Sequence, residues 1–303
     1  LIGPNFQSST LSSNKALMKK AFDKHKVRNA RYEILHKEEE CETIVDNFSL
    51  PLVMKIVDAS GSVGVKIINN FNKLKKSFRE LIKLTKENYL IVEEFLDGIE
   101  FGAQAYVKNN ELQFVFPHGD IIFKGDTGVP IGHYAPYELG ESIIDDIKLQ
   151  LERSITALNI NNTAINADFI YKDGKVYVLE IGARAGATCL PELTSAYYGL
   201  NYYEYLLKNC VGDETEFIYD KLTPAWVETL ISAESGIVKN IENDSQPNEV
   251  DEFVLYPKAG DKINTFRNAY DRIGHFVIKS EKGLEHLEKI ADQIKHQTII
   301  KFK

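Results

Sequence analysis

Apolar residues along the chain recur with two periods, and the changes of period mark out an order of short strands and amphipathic helices. The cluster Ser12-Ser13-Asn14 offers N-caps for a helix that sets Leu17, Ala21, Phe22 and His25 on one face. Leu52 to Val57 is a short apolar strand, followed by the loop Asp58-Ala59-Ser60-Gly61-Ser62-Val63-Gly64 and a second strand from Val65. Phe71, Leu74, Phe78 and Leu81 predict a lysine-rich helix over 71–87. Strands follow over 89–95, 100–107 and 111–116, the last two joined by the turn pair Asn109-Asn110. Residues 117–137, rich in Gly, Pro and His, read as a long loop with a short strand from Ile121 to Lys124. Ile144, Ile147, Leu151, Ile155 and Leu158 define an amphipathic helix over 141–158, and a hairpin over 163–181 turns at Asp173-Gly174. Helices are expected over 189–198 and 201–211. Beyond 214 the pattern gives strands over 226–231, 252–256 and 274–279, a solvated loop from Glu242 to Glu249, a closing helix with Leu284, Leu287, Ile290 and Ile294, and a last strand over 298–302. No internal repeat is visible.

Length and composition narrow the picture. A chain of 303 residues has room for two or three packed subdomains, and the pattern divides it at 1–50, 51–96, 97–213 and 214–303. The formal net charge of −8 argues against nucleic acid as a partner but leaves room for a local cationic pocket. Cys41, Cys189 and Cys210 have no CxxC spacing, which points to a reducing, cytoplasmic compartment. No apolar run reaches the length of a membrane span, and no signal peptide is visible. The chain opens on Leu1 rather than Met, so its first residue is not a natural start.

Four motifs carry candidate chemistry. Lys55 lies in an apolar strand, where an ammonium is costly unless it meets an anion; an edge-strand lysine beside a hairpin is the ordinary alternative. The loop after it can present backbone N–H groups to phosphate oxygens through Ser60, Gly61, Ser62 and Gly64, with Val65 resuming the strand. It is neither a Walker A sequence nor a dinucleotide fingerprint. Glu93-Glu94-Phe95-Leu96 ends a strand before the turn Asp97-Gly98, and Glu100 follows; backbone there can read a base, and a carboxylate suits paired ribose hydroxyls.

The hairpin around Asp168 and Glu180 is the most informative motif. A two-residue type I′ loop at Asp173-Gly174 would place the two carboxylates on opposite faces. A type I turn with a bulge at Gly174 would pair Tyr171 with Lys175 and bring Asp168 one diagonal step from Glu180. Clustered carboxylates in apolar strands need a cation between them, and hard oxygen ligands suit Mg2+, so the bulged turn is the expectation. Arg184, among small residues just beyond, suits a transferred phosphoryl group or a substrate carboxylate. His118, His133, Tyr134, Glu192 and Tyr197 are further pocket candidates, each equally readable as loop or core packing.

In order, these segments resemble the ATP-grasp superfamily over roughly 1–212. The resemblance implies an α+β ATP-grasp fold, two α+β subdomains clasping ATP between antiparallel sheets, with a small C-terminal α+β domain over 214–303. It implies ATP and Mg2+ as cofactors and an ADP-forming ligase that joins a carboxylate to an amine, or less readily a thiol, through an acyl phosphate. A bicarbonate-activating carboxylase or a non-catalytic nucleotide-binding module are the rival activities. Lys15 takes the place of the family's first phosphate-binding lysine, with Lys19 as rival, and Lys55 that of the second. Residues 58–64 match the phosphate lid, Glu93 to Leu96 the adenine linker, Glu100 the ribose acid and Lys124 a further basic residue. Asp168 and Glu180 match the magnesium ligands, and Arg184 the arginine of the closing motif. Gly182 stands where the family has an asparagine ligand, which implies a weaker or absent second magnesium. The family's N-terminal domain is missing from the chain, which is read as a fragment. The partners implied are a small-molecule carboxylate and an amine, with neither nucleic acid nor membrane, and a homodimer is left open.

Overall fold

The computed structural model describes residues 1–61, 63–123, 129–213, 215–243 and 247–303. The chain begins with helices α1 (Phe6–Ser13) and α2 (Lys15–Lys24), then strand β1 (Tyr32–Leu35), α3 (Cys41–Asn47), β2 (Leu52–Lys55), β3 (Val65–Ile68), α4 (Leu74–Leu81) and β4 (Leu90–Glu94). Long strands β5 (Ile99–Lys108) and β6 (Glu111–Ile122) follow, then β7 (Pro130–Ala135), α5 (Glu141–Leu158) and the hairpin β8 (Thr163–Lys172) and β9 (Lys175–Gly182). The remainder is α6 (Leu190–Tyr198), α7 (Tyr202–Cys210), β10 (Ala225–Leu230), β11 (Gly236–Asn243), β12 (Val250–Leu255), β13 (Lys262–Ile263), β14 (Gly274–Lys279), α8 (Leu284–Gln297) and β15 (Thr298–Phe302). The strand pairs among the described residues are antiparallel, as expected of an α+β chain.

Two compact units result: Ile2–Val115 with Leu139–Arg184, and Phe116–Glu138 with Ala185–Lys303, which Leu1 also joins. The first unit holds a four-stranded sheet in the order β1-β4-β2-β3. One face of it buries Leu35, Leu52, Met54, Ile68, Leu90 and Val92 against Ile44 of α3 and Leu74, Phe78 and Leu81 of α4. Alternation along each strand then turns Lys55 and Glu93 to the opposite face. This unit also holds the strands β5-β8-β9, neighbours in that order in a larger sheet, where Phe101 stacks on Phe169 at 5.4 Å within the core. Arg28 ties this sheet to α5: its guanidinium donates to Asp146 and to the Val176 carbonyl, and Asp146 also accepts the Val176 N–H at 2.8 Å.

In the second unit the strand order is β12-β14-β10-β7-β6, with α8 covering an apolar cluster that includes Trp226, Phe276, Leu287 and Ile294. The stretch read as a loop over 117–137 is mostly strand: β6 continues to Ile122 and β7 spans Pro130–Ala135. Pro130 is tolerated because it opens its strand. Gly132 lies so close to β10 that a Cβ there would fall 2.4 Å from the Val227 carbonyl oxygen. In α2, Asn14 is the N-cap, accepting from the N–H groups of Ala16 and Leu17, but the buried face is Ala16, Met18, Lys19 and Phe22, and His25 is exposed. No helix among the described residues is long and apolar enough to cross a membrane.

Candidate functional site

The hairpin β8–β9 brings the two acids together by a different route from the expected one. Asp173 and Gly174 both adopt positive φ and form a two-residue loop with Lys172 opposite Lys175. Left uninterrupted, that register would pair Ala167 with Glu180 and split the carboxylates between faces. An irregularity between Asp168 and Phe169 makes Leu179 an extra residue, so Asp168 pairs directly with Glu180. The bulge thus lies at Leu179 rather than at Gly174, and the two acids share a face. On that same face β5 contributes Glu100, Gly102 and Gln104, opposite Ile170, Asp168 and Asn166. Asn166 pairs with Gly182, and its side-chain oxygen accepts from Gln104 at 2.7 Å.

A positive charge already stands beside this acidic pair. Lys15, at the start of α2, sets its ammonium 3.2 Å from Glu180 and donates at 2.5 Å to the carbonyl of Ala59 in the glycine-bearing loop. Its backbone N–H donates to Val57, which fixes the helix start against the strand end. Of the two lysine candidates, Lys15 therefore touches the acid pair and the loop. Lys19 does something else: its ammonium is 1% exposed and lies 3.5 Å from Glu93 Oε2, the oxygen that Lys55 approaches at 3.0 Å. Two ammonium groups share one carboxylate, so with both protonated this buried cluster carries one excess positive charge. Burial pushes the Lys19 ammonium well below its usual range, against the pull of Glu93 and with the repulsion of Lys55 adding to it. Burial acts to raise Glu93, but the two ammonium groups outweigh it and hold the carboxyl below its usual range. Sequence pattern missed Lys19's role because its neighbour is fixed only by the packing of α2 on β4.

The glycines of the loop have distinct jobs. Gly61 has φ +65° with open space around it, while Gly64 at φ +70° packs so closely on Ile56 that a Cβ would meet that side chain at 2.5 Å. Ser60 accepts from the Val63 N–H, Gly64 accepts from Ile56, and Val65 pairs with Lys55 across β2–β3. In the linker, the Glu93 side chain belongs to the lysine cluster, and Glu94 accepts from the Arg31 N–H at 2.8 Å. The Phe95 N–H donates to Pro51, and Leu96 is buried beside Ala30 and Ile170. Glu100 is exposed at the start of β5, and Arg184 is exposed just past β9. Ser62 and Lys124 lie outside the described residues.

In the second unit, Tyr134 stacks on Trp226 and Tyr197 on Phe116, while Glu192 accepts from Tyr203 at 2.7 Å. His118 and His133 are buried on strands and both lie against Asp120.

Residues 13–187 match the family model described as phosphoribosylglycinamide synthetase, ATP-grasp (A) domain. The chain belongs to the ATP-grasp family. Its fold is that of ATP-grasp proteins, and members of the family use ATP with Mg2+. A solved structure of phosphoribosylglycinamide synthetase from Anaerococcus prevotii is 34% identical, with a TM-score of 0.82 over 100% of this chain and 77% of that one. The D-alanine--D-alanine ligase of Pediococcus pentosaceus is 26% identical over 73% of this chain and 63% of its own length. The carbamoyl phosphate synthase large chain of Neisseria meningitidis is 26% identical over 62% of this chain but 18% of its own length. The ATP-grasp chain thus spans less than two thirds of these two relatives. Its own oxygens offer a hard, anionic set on one sheet face, and the Lys15 ammonium stands against that set as a cation would, so the residues fit Mg2+.

Proposed function

We propose that this ATP-grasp chain is the nucleotide-binding part of an ADP-forming ligase that joins a carboxylate to an amine through an acyl phosphate. The observation that carries the reading is the Lys15 ammonium held between Glu180 and the Ala59 carbonyl, beside a Lys19–Glu93–Lys55 cluster that is one anion short. A polyphosphate supplies the missing anion. Phosphoryl transfer asks little covalent chemistry of a protein, mainly positioning and charge neutralisation. Lys15, Lys55 and the loop from Ser60 to Gly64 hold the phosphates, the linker from Glu93 to Leu96 flanks the base, and Glu100 takes the ribose. Asp168 and Glu180 hold Mg2+, which when bound neutralises charge on the phosphates. Arg184 steadies the reacting carboxylate or phosphoryl group.

The carboxylate oxygen attacks the terminal phosphorus and ADP leaves; the amine then attacks the acyl carbon, phosphate departs and the amine loses a proton to solvent. The test is ADP release by the full chain over a panel of carboxylates and amines, with nucleotide binding measured in parallel. Lys55→Ala should abolish nucleotide binding, whereas Glu180→Gln should retain binding and lose turnover. A Gln variant releasing ADP at the parent rate would overturn the metal assignment. Nucleotide binding without ADP formation on any substrate would replace the ligase by a binding module.

A further inference from the structure

The second unit holds a constellation that the reaction above does not use. His118 and Asp120 are two apart on β6 and so share a face, and His133 is the direct antiparallel partner of Asp120 on β7. His118 Nδ1 lies 3.1 Å and His133 Nδ1 2.6 Å from the same Asp120 Oδ1, and one ligand atom from each residue falls within 4.8 Å of the others. The rings are buried, at 2% and 4% exposure. Two imidazoles and a carboxylate are removed from water only where something compensates them.

We propose that His118 Nδ1, Asp120 Oδ1 and His133 Nδ1 bind a divalent transition ion, zinc by donor type. Three lines support it. Ligands about 2.1 Å from a tetrahedral ion lie about 3.4 Å apart, so the N–O separations of 3.1 and 2.6 Å need only widen slightly to admit one. Two imidazoles and one carboxylate on one face leave the other side of the ion open, a donor set typical of zinc, iron and related ions. Finally, His133 Nε2 is buried with no hydrogen-bond partner among the described residues, so Asp120 alone sets the tautomer of that ring. Moving the proton from Nδ1 to Nε2 gives up the Nδ1 hydrogen bond to Asp120, which coordination to the ion replaces, and the neutral ring then presents its Nδ1 lone pair.

The test uses the full chain, stripped with a chelator and dialysed, then titrated with Co2+ by visible absorption and with Zn2+ by competition. One equivalent is expected in the parent protein and also in Glu180→Gln, which removes a carboxylate of the nucleotide site. Affinity should fall by more than about tenfold in Asp120→Asn and in His133→Gln. Circular dichroism establishes that each variant is folded, and His118→Gln replaces either one that is not. Absence of a stoichiometric site in the folded parent protein, or equal affinity in the folded variants, would overturn the proposal and leave a hydrogen-bonded cluster.

Discussion

Glu93→Gln is an informative perturbation because it keeps shape and removes one charge from a cluster of three. In the parent protein Glu93 is 2% exposed, with the Lys55 and Lys19 ammonium groups at 3.0 and 3.5 Å from one oxygen. Removing one partner of a buried ion pair costs about 3–5 kcal/mol, because the remaining charge stays buried and uncompensated. Two features bring the expectation to the lower end, about 3 kcal/mol. Lys55 is 15% exposed and can turn to solvent, whereas Lys19, at 1%, cannot. Lys19 instead sheds its proton, which burial already favours. That gives the assay its sign. The folded-state pKa of Lys19 lies below its unfolded value, so the unfolded chain binds more protons between the two, and stability rises with pH across that window. Without Glu93 the folded value drops further and the window widens toward neutral pH. Urea unfolding at pH 7 and pH 10 should therefore show a deficit that narrows as pH rises. ATP at a hundredfold excess over its Kd should raise the stability of the variant, like that of the parent, by about 2.7 kcal/mol at pH 7. Parent-like stability at pH 7, or a deficit that is unchanged at pH 10, would refute the charge argument.

Gly182→Asn should restore a family oxygen ligand: a Cβ at 182 meets no atom nearer than 3.6 Å, so the fold should tolerate it and the Mg2+ concentration for half-maximal ADP release should fall. Unchanged Mg2+ dependence would mean that Asn166, opposite Gly182, already fills the role. Asp146→Ala leaves the buried Val176 N–H and the Arg28 guanidinium short of an acceptor, and should lower stability by about 2 kcal/mol in thermal unfolding. Burial acts to raise the Asp146 pKa, but the Val176 N–H, Arg28 and Gln150 outweigh it and hold the folded value low. Its contribution is therefore present above the unfolded carboxylate pKa and lost as pH falls through the folded one, so the variant should show a shallower acid dependence.

Strongly periodic segments were legible in the sequence. Helix α5 starts at Glu141 and ends at Leu158, as its apolar spacing indicates, and the closing helix and last strand lie where expected. Failures have local causes. Helix α1 has small hydroxyl residues on its inner face, with Ser8 and Ser12 buried, so hydrophobic periodicity cannot reveal it. Strand β7 contains Pro130, Gly132 and His133, residues that pattern reasoning assigns to loops. Gly132 is there because β10 comes too close for a side chain, a constraint that only the assembled sheet supplies.

The acid pair reaches a shared face by a local route other than the expected turn. Charge requires a cation between clustered Asp168 and Glu180, hence a shared face, and they share one. The turn is not the bulged one expected, because Asp173-Gly174 is well suited to the two-residue loop that it forms. The register is corrected at Leu179, whose side chain packs against the cluster of Ala30, Leu96 and Ile170. The bulge is thus anchored by the same packing that buries the linker residue Leu96, an apolar cluster that includes Ile170 on the face of the two acids. Turn composition was visible in the sequence, whereas this anchoring depends on residues far apart in it. Directly paired carboxylates repel unless a cation attends them, and Lys15 supplies one from a helix that also holds the glycine loop through Ala59. Under the proposed assignment, Mg2+ held by Glu180 would take the place of the Lys15 ammonium and leave it for the phosphates. Lys15 thus ties the glycine-bearing loop to the acid pair, two segments that sequence motifs present as separate.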